Sequence, residues 1–140
     1  MAITQAMCNS FKSEVLAGTH VAADTYKIAL YTNAATIDAT LTAYSATNEC
    51  PATGNYATGG MTITAYTIGS STSTSWVTFS VNPAWTTSTI TARGAVIYNS
   101  SKSNKTLCVL DFGADKTSTN GTFTVVLPTA DASNALIRLT

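Results

Sequence analysis

Charged residues are unusually scarce in this sequence. Only 10% of its 140 residues are Asp, Glu, Lys or Arg, against about 25% in a typical soluble domain. Seven basic residues balance seven acidic ones, so the formal net charge is zero. A protein that binds nucleic acid neutralises phosphates with a stripe of basic residues, and this chain has no such stripe. The composition therefore predicts no nucleic-acid partner.

Long apolar runs are missing as well. None approaches the roughly 18 residues that a bilayer-spanning helix needs, and no helical segment clusters Lys and Arg on one face, as a membrane-surface helix does. The segment Met1 to Glu14 lacks the charged and then apolar regions of a secretion signal. We therefore expect no membrane association, and folding in a cytoplasm.

Residue types that carry chemistry are scarce. His20 is the only histidine, and no Ser or Cys lies in a nucleophile elbow of the G-x-S-x-G type. The closest carboxylates in sequence are Asp111 and Asp115, which lack the ligand spacing of a calcium loop and are typical of a strand end and a turn. A distant glycosidase pair can be judged only in space. The sequence predicts no enzyme, no cofactor and no metal site.

Cysteines are few and widely spaced. There is no CxxC pair and no Cys–His cluster of the kind that binds zinc. Two of the three lie in apolar patterns, where a free thiol behaves as a small hydrophobe. We predict three reduced structural thiols at Cys8, Cys50 and Cys108.

Hydroxyl side chains are abundant, in contrast to charged ones. The chain has 27 threonines and 14 serines. Threonine is β-branched, so it favours strands, while its hydroxyl tolerates water. A threonine-rich surface with few charges suits close packing against neighbouring proteins. The alternative is a monomeric sandwich with threonine on its solvent faces.

One helix is predicted, over Thr4 to Leu16. Thr4 is the candidate N-cap, an apolar stripe of Met7, Phe11 and Val15 recurs at helical spacing, and Gly18 follows as a candidate C′ residue. Because the segment is too short to hold as an isolated helix, its stripe must dock on this domain or on a partner.

From Thr25 onward the apolar pattern has a period of two, which predicts seven or eight short strands separated by Gly, Pro and Asn turns. The fold class is all-β: a two-sheet antiparallel sandwich or jelly-roll-like domain with one short N-terminal helix. We predict a single β-sandwich domain over residues 1–140, with the helix at about 4–17. Residues 69–75 and 113–121 are predicted as turns. Residues 33–60 form a long loop, either functional or partly ordered.

Aromatic residues mark candidate contacts. Trp76 alternates with Val77 and Phe79, so it lies on the face opposite to theirs, either exposed for contact or covered as core. Trp85 follows the strand-breaking Asn82-Pro83 and is predicted in a loop as an interface or packing anchor. The candidate interface residues, which include the helix stripe, are Met7, Phe11, Val15, Trp76 and Trp85.

Nearly the whole chain resembles, in order and in register, a group of small virion proteins of tailed bacteriophages. The resemblance rests on MAITQAMCNSFKSEVLAG, TYKIALYTNAATIDATLTAY, NYATGGMTI, WVTFSVNPAWTTSTITARGAVIYN, LDFGADKTSTNGTFTVVLP and ALIRL. It departs from the expected pattern around Cys50 and Pro51, where relatives are expected to have a simpler loop sequence.

The resemblance implies a capsid decoration, or cement, protein. Such a protein binds the outer capsid surface as a homotrimer and bridges neighbouring copies of the major capsid protein, without a cofactor. It would be made in the cytoplasm of the host bacterium and located in the virion, on the capsid surface. Two alternatives stay open: a tail, head–tail connector or fibre-base structural protein, and a carbohydrate-binding module that binds a glycan.

Overall fold

The computed structural model describes residues 2–140, so the predictions that touch Met1 lie outside it. The described residues are mostly β, with one short helix near the N-terminus. The elements in chain order are β1 (Ala6–Met7), α1 (Asn9–Leu16), β2 (Tyr26–Tyr31), β3 (Met61–Ile63), β4 (Tyr66–Ser71), β5 (Thr74–Phe79), β6 (Ala84–Ser88), β7 (Thr91–Asn99), β8 (Lys105–Thr117), β9 (Gly121–Thr124) and β10 (Ile137–Leu139).

These strands form three antiparallel sheets. The largest has the order β1-β8-β7-β2-β3, a second has the order β10-β5-β4, and β6 pairs with β9. The central strands β2 and β7 are buried almost throughout, which is why their sequences are apolar on both faces. The prediction of an all-β antiparallel fold with one short N-terminal helix is confirmed.

The predicted start of the helix was wrong. It begins at Asn9 rather than at Thr4, and its N-cap is Cys8, whose side chain makes no capping hydrogen bond. Residues Ala6 and Met7 instead form β1, paired with Val109 and Cys108 of β8. The stripe prediction failed at Met7 because pairing with a strand about 100 residues away outweighs a weak local helix propensity.

The end of the helix matches the sequence prediction. Gly18 has a positive φ of 69°, its N–H donates to the Val15 carbonyl at 3.1 Å, and the Thr19 N–H donates to the Glu14 carbonyl at 2.9 Å. This pair of hydrogen bonds is a Schellman motif, which satisfies carbonyls at a helix C-terminus. Gly18 is therefore the C′ residue.

Two predicted turns belong to strands instead. Residues 69–71 continue β4, and only Thr72 and Ser73 form the turn to β5. A Cβ on Gly69 would lie 2.5 Å from the Trp76 ring, so this glycine serves a close cross-strand contact rather than a loop. Similarly, β8 runs on to Thr117 through a bulge opposite Arg93.

The long loop at 33–60 is packed on the large sheet. Ile37 and Tyr56 are buried, Tyr44 stacks on Tyr98 with ring centroids 4.6 Å apart, and Ala43 forms an isolated bridge with Lys105. At its end, a Cβ on Gly60 would lie 1.7 Å from the Ile28 carbonyl oxygen. The loop thus covers one side of the core.

One buried apolar cluster joins the sheets. Tyr26 of β2 stacks on Tyr66 of β4 with ring centroids 4.5 Å apart, and this contact links the five-stranded sheet to the three-stranded one. All three cysteines are buried and free, which confirms the prediction of reduced structural thiols. The helix α1 packs on β8 of the five-stranded sheet. A groove, where the candidate site lies, separates it from the three-stranded sheet.

Candidate interaction surface

An apolar groove lies between α1 and the three-stranded sheet. Its volume is about 290 Å³. The helix lines one wall, β4, β5 and β10 line the other, and the lining contains no Asp, Glu, Lys or Arg. The lining residues are Phe11, Val15, Gly18, His20, Tyr66, Ile68, Ser75, Trp76, Val77, Ile137 and Leu139. We call this site the α1 groove.

The α1 groove brings together three of the five predicted interface residues. Phe11 is fully buried at the groove, and Val15 is half-buried and lines it. Trp76 is half-buried and borders the groove, although its side chain lies on the face of β5 opposite to Val77. Met7 lies in β1, half-buried against the core. The helix stripe is therefore reduced to Phe11 and Val15.

Trp85 is not available for contact. It belongs to β6 rather than to a loop, and it is only 1% exposed. Its ring packs between Tyr56 and Phe123, at centroid distances of 5.4 and 6.4 Å. The strand β5 already ends at Phe79, before the Asn82-Pro83 pair, and β6 begins directly after the proline. The turn residues in the sequence do not reveal this second strand. The interpretation of Trp85 as a packing anchor holds, and that of an exposed contact does not.

Trp76 belongs to β5, and its ring lies over Gly69 of the neighbouring strand β4. The Ile68, Val77 and Ile137 triplet is aligned across the three strands, and Trp76 pairs instead with Gly69 and Arg138. Its side chain therefore lies on the opposite face from Val77, as the alternation predicts. Because its ring covers Gly69 and remains partly exposed, Trp76 is the one predicted aromatic that a ligand can reach.

Exposed aliphatic side chains accompany the α1 groove. Ile68 is 66% exposed and Leu139 is 41% exposed, and both line the groove; Leu16, next to Val15, is 90% exposed. Sequence reasoning missed all three. For Ile68 a signal was available in the complete absence of charged residues from Cys50 to Ala92, since such a stretch leaves its exposed strands without charged protection. No comparable signal marks Leu16 or Leu139.

A polar cluster fastens α1 to the turn between β7 and β8. The His20 Nε2 lies 2.7 Å from the Glu14 carboxylate and the His20 Nδ1 lies 2.9 Å from the Asn99 Nδ2. The amide Nδ2 can only donate, so His20 Nδ1 accepts and the Nε2–H donates to Glu14. Lys105 also contacts Glu14, at 3.3 Å. Both ring nitrogens of His20 are thus engaged.

Asp24 completes this cluster. Its side chain is 9% exposed and lies 3.8 Å from the Lys102 ammonium, and it accepts hydrogen bonds from Asn99 Nδ2 at 2.8 Å and from the Val21 N–H at 3.2 Å. Burial acts to raise the pKa of Asp24, but the bonds from Asn99 and Val21 and the nearby positive charge outweigh it. The net effect lowers the pKa below its usual value of 3.8.

A lowered folded-state pKa means that Asp24 stabilises the fold above about pH 4 and loses this contribution as the pH falls through the folded-state value. We expect Asp24→Asn to cost about 1 kcal/mol of unfolding free energy at pH 7 and progressively less below pH 4. Urea unfolding at pH 7 and at pH 3 measures both. Asp115→Asn, an exposed carboxylate on β8, is the matched control. An equal loss at both pH values for Asp24→Asn would contradict this prediction.

A second polar cluster organises the long loop around Glu49. The Tyr44 hydroxyl donates to Glu49 at 2.6 Å, the Tyr56 hydroxyl at 2.7 Å and the Gly59 N–H at 2.8 Å. Tyr56 also accepts from the Leu30 N–H of β2 at 2.8 Å. Burial first, and then the negative charge of Glu49, raise the pKa of Tyr98 to about 12. Glu49 therefore ties the loop to the central sheet.

A larger and more open cleft, of about 540 Å³, separates the end of β8 from β9 and includes Phe112 and Lys116. No group of three or more His, Cys, Asp or Glu side chains within residues 2–140 is arranged to hold a metal ion. In the same range, no helix is both long and apolar enough to cross a membrane.

Comparison with known proteins gives no relative. No family model, no curated protein and no solved structure matches this chain.

Proposed function

We propose that this protein is a bacteriophage capsid decoration protein, which binds the outer surface of the shell and stabilises it by bridging copies of the major capsid protein. The observation that carries the proposal is the α1 groove with its exposed aliphatic residues, on a domain with few charged residues. Large exposed apolar surface is typical of protein interaction sites. The whole-chain resemblance to phage virion proteins supplies the particular partner.

The mechanism is mass action. A protein that binds the assembled shell and not its free subunits stabilises the shell by its binding free energy. Many copies on a symmetric surface multiply a modest contact. The proposal includes a homotrimer as the bound form, location in the virion, and no cofactor. Apolar and hydroxyl surface on every copy supports close packing between neighbours.

The proposal also includes the finer architecture, a two-sheet sandwich or jelly-roll-like domain. Its support is the antiparallel pairing of all three sheets and the Tyr26–Tyr66 stack that joins two of them. A rigid sandwich of this kind fits a clamp, because it presents the α1 groove without rearrangement.

Copy number in purified particles tests this function. We expect a ratio to the major capsid protein near one, or a simple fraction such as about one third, measured by quantitative mass spectrometry. A handful of copies would instead assign the protein to the tail, connector or fibre base. Absence from the particle would contradict a virion role altogether.

The contact surface has its own test. Leu16→Asp is expected to fold normally and to bind decoration-free shells at least about tenfold more weakly, because it places a charge beside the α1 groove. Val126→Asp is the matched control, since Val126 is 76% exposed and lies outside that groove. Equal binding by both variants would move the shell contact elsewhere.

Carbohydrate binding is the second candidate, and one observation favours it. The half-buried Trp76 ring is laid over Gly69 on a face with Thr67 and Thr78, and aromatic faces stack on sugars. Glycan binding by the isolated protein that is lost in Trp76→Ala would support this function in place of decoration.

A further inference from the structure

The outer edge of β4 is an unpaired strand edge. Within residues 2–140, β4 pairs with β5 on one side and with no strand on the other. A free edge presents backbone N–H and C=O groups that can pair with another chain. Proteins that stay monomeric protect such edges with short strands, charged side chains, proline or bulges. The presence or absence of this protection therefore indicates whether an edge is kept from pairing with another chain.

The other exposed strand edges are protected. β1 has two residues and β3 has three. β10 also has three, one of them Arg138. The projecting part of β8 carries Asp115 and Lys116 and is bulged against β7. The pair β6 and β9 is short and has a register shift.

β4 has none of these protections. It is six residues long, contains no proline and no charge, and pairs with β5 without a register shift. The charge-free stretch from Cys50 to Ala92 includes both strands. Two copies of this edge can therefore approach each other without like-charge repulsion, which normally keeps identical edges apart.

The hairpin geometry identifies the backbone groups that face outward. The two-residue turn is closed by the Ser71–Thr74 pair, which exchanges both hydrogen bonds in such a hairpin. Hydrogen-bonded and non-hydrogen-bonded pairs alternate along the ladder. The N–H and C=O groups of Tyr66, Ile68 and Ser70 therefore point away from β5, toward the free edge.

We propose that β4 pairs with β4 of a second copy of this chain, antiparallel, across a two-fold axis at Ile68. Ile68 then lies opposite Ile68 of the second copy, and Tyr66 lies opposite Ser70 of the second copy. This arrangement joins two three-stranded sheets into one. It also covers the 66% exposed Ile68 side chain with the same residue, and it places the two α1 grooves side by side.

The chemistry of the edge favours a second copy over a different protein. Selection of a particular unlike partner rests largely on complementary charges, and this edge offers none. Antiparallel self-pairing needs no such pattern, because an isologous contact is self-complementary by symmetry. The inference concerns the free protein in solution and is separate from the homotrimer proposed for the shell-bound form. It does not depend on the proposed function, since self-association is measured without any capsid.

Mass measurement over a concentration series tests the contact. The wild type is expected to reach twice the monomer mass of 14.5 kDa in sedimentation experiments. Ile68→Lys, which places two ammonium groups at the axis, is expected to weaken dimerisation at least about tenfold. Val126→Lys, a matched exposed aliphatic outside β4, is expected to leave it unchanged. Both sites are exposed, so circular dichroism should show both variants folded.

Crosslinking tests the register. In the proposed pairing the two Ile68 Cα atoms lie about 5.5 Å apart, within disulfide range. Ile68→Cys is therefore expected to form a covalent dimer on mild oxidation. In Ser70→Cys, which is exposed on the same strand face, the two cysteines lie four residues apart along the ladder, about 13 Å, and should not crosslink.

The outcomes separate the alternatives. A dimer that is lost in Ile68→Lys and trapped in Ile68→Cys supports the inference. A protein that is monomeric at all concentrations overturns it. So does a dimer or trimer that is insensitive to Ile68→Lys. Amide protection of β4 that arises only when another virion protein is added would assign the edge to that protein instead, and also overturns it.

Discussion

Replacing Phe11 with Asp is expected to abolish folding rather than a contact between subunits. Phe11 is fully buried and packs near His20 with ring centroids 5.0 Å apart. Truncating a buried Phe costs about 3–5 kcal/mol, and a carboxylate in its place is buried without a partner and close to Glu14. The combined loss is comparable with the whole stability of a typical domain, about 5–15 kcal/mol.

An aspartate five residues later on the same helix should behave differently. Leu16 belongs to the same helix and is 90% exposed, so Leu16→Asp is expected to change the unfolding free energy by less than about 0.5 kcal/mol. Chemical unfolding followed by tryptophan fluorescence compares the two variants directly. A soluble Phe11→Asp protein with the unfolding midpoint of the wild type would contradict the structural role of Phe11.

Replacing Glu49 with Ala is the second change with a large expected effect, a loss of about 3 kcal/mol. The carboxylate accepts from two tyrosine hydroxyls and one backbone N–H. Removing it leaves these donors in a partly buried site without a partner, and an unpaired buried donor costs more than the bond contributes. The long loop is expected to become mobile before the central sheet unfolds.

Glu49→Gln is the matched control. Its carbonyl oxygen can still accept from Tyr56 and Gly59, and its amide can donate to the Tyr44 hydroxyl oxygen, so we expect a loss below about 1.5 kcal/mol. Amide hydrogen exchange resolves the loop from the sheet, with faster exchange around residues 50–60 in Glu49→Ala only. Equal destabilisation by Ala and Gln would show that charge, rather than hydrogen bonding, holds the loop.

The helix α1 and the Glu49 cluster show how much of the structure local sequence patterns can predict. The helical spacing of Phe11 and Val15 correctly indicated an apolar helix face, because a short helix is stable only when that face is packed. The same pattern could not reveal that Met7 pairs with β8. Likewise, Glu49 lies in a segment without periodicity, and nothing in its neighbours indicates that three donors converge on it.

Glycine and tryptophan show the same limit. In the sequence, Gly69 predicts a turn, yet it lies in strand β4. A glycine is required there because the Trp76 ring occupies the space where a Cβ would lie. Trp85 follows a strand-breaking proline and is nevertheless core, enclosed by Tyr56 and Phe123. In each case the deciding partner is distant in sequence or on another strand.

By itself, the sequence determined the all-β class, the single short helix with its glycine stop, and the reduced cysteines, because alternation, capping and spacing act between near neighbours. Tertiary structure alone decided the α1 groove, the Glu49 cluster and the unprotected edge of β4. Each of these depends on which strands become neighbours, and that choice is made by burial and backbone pairing between distant segments.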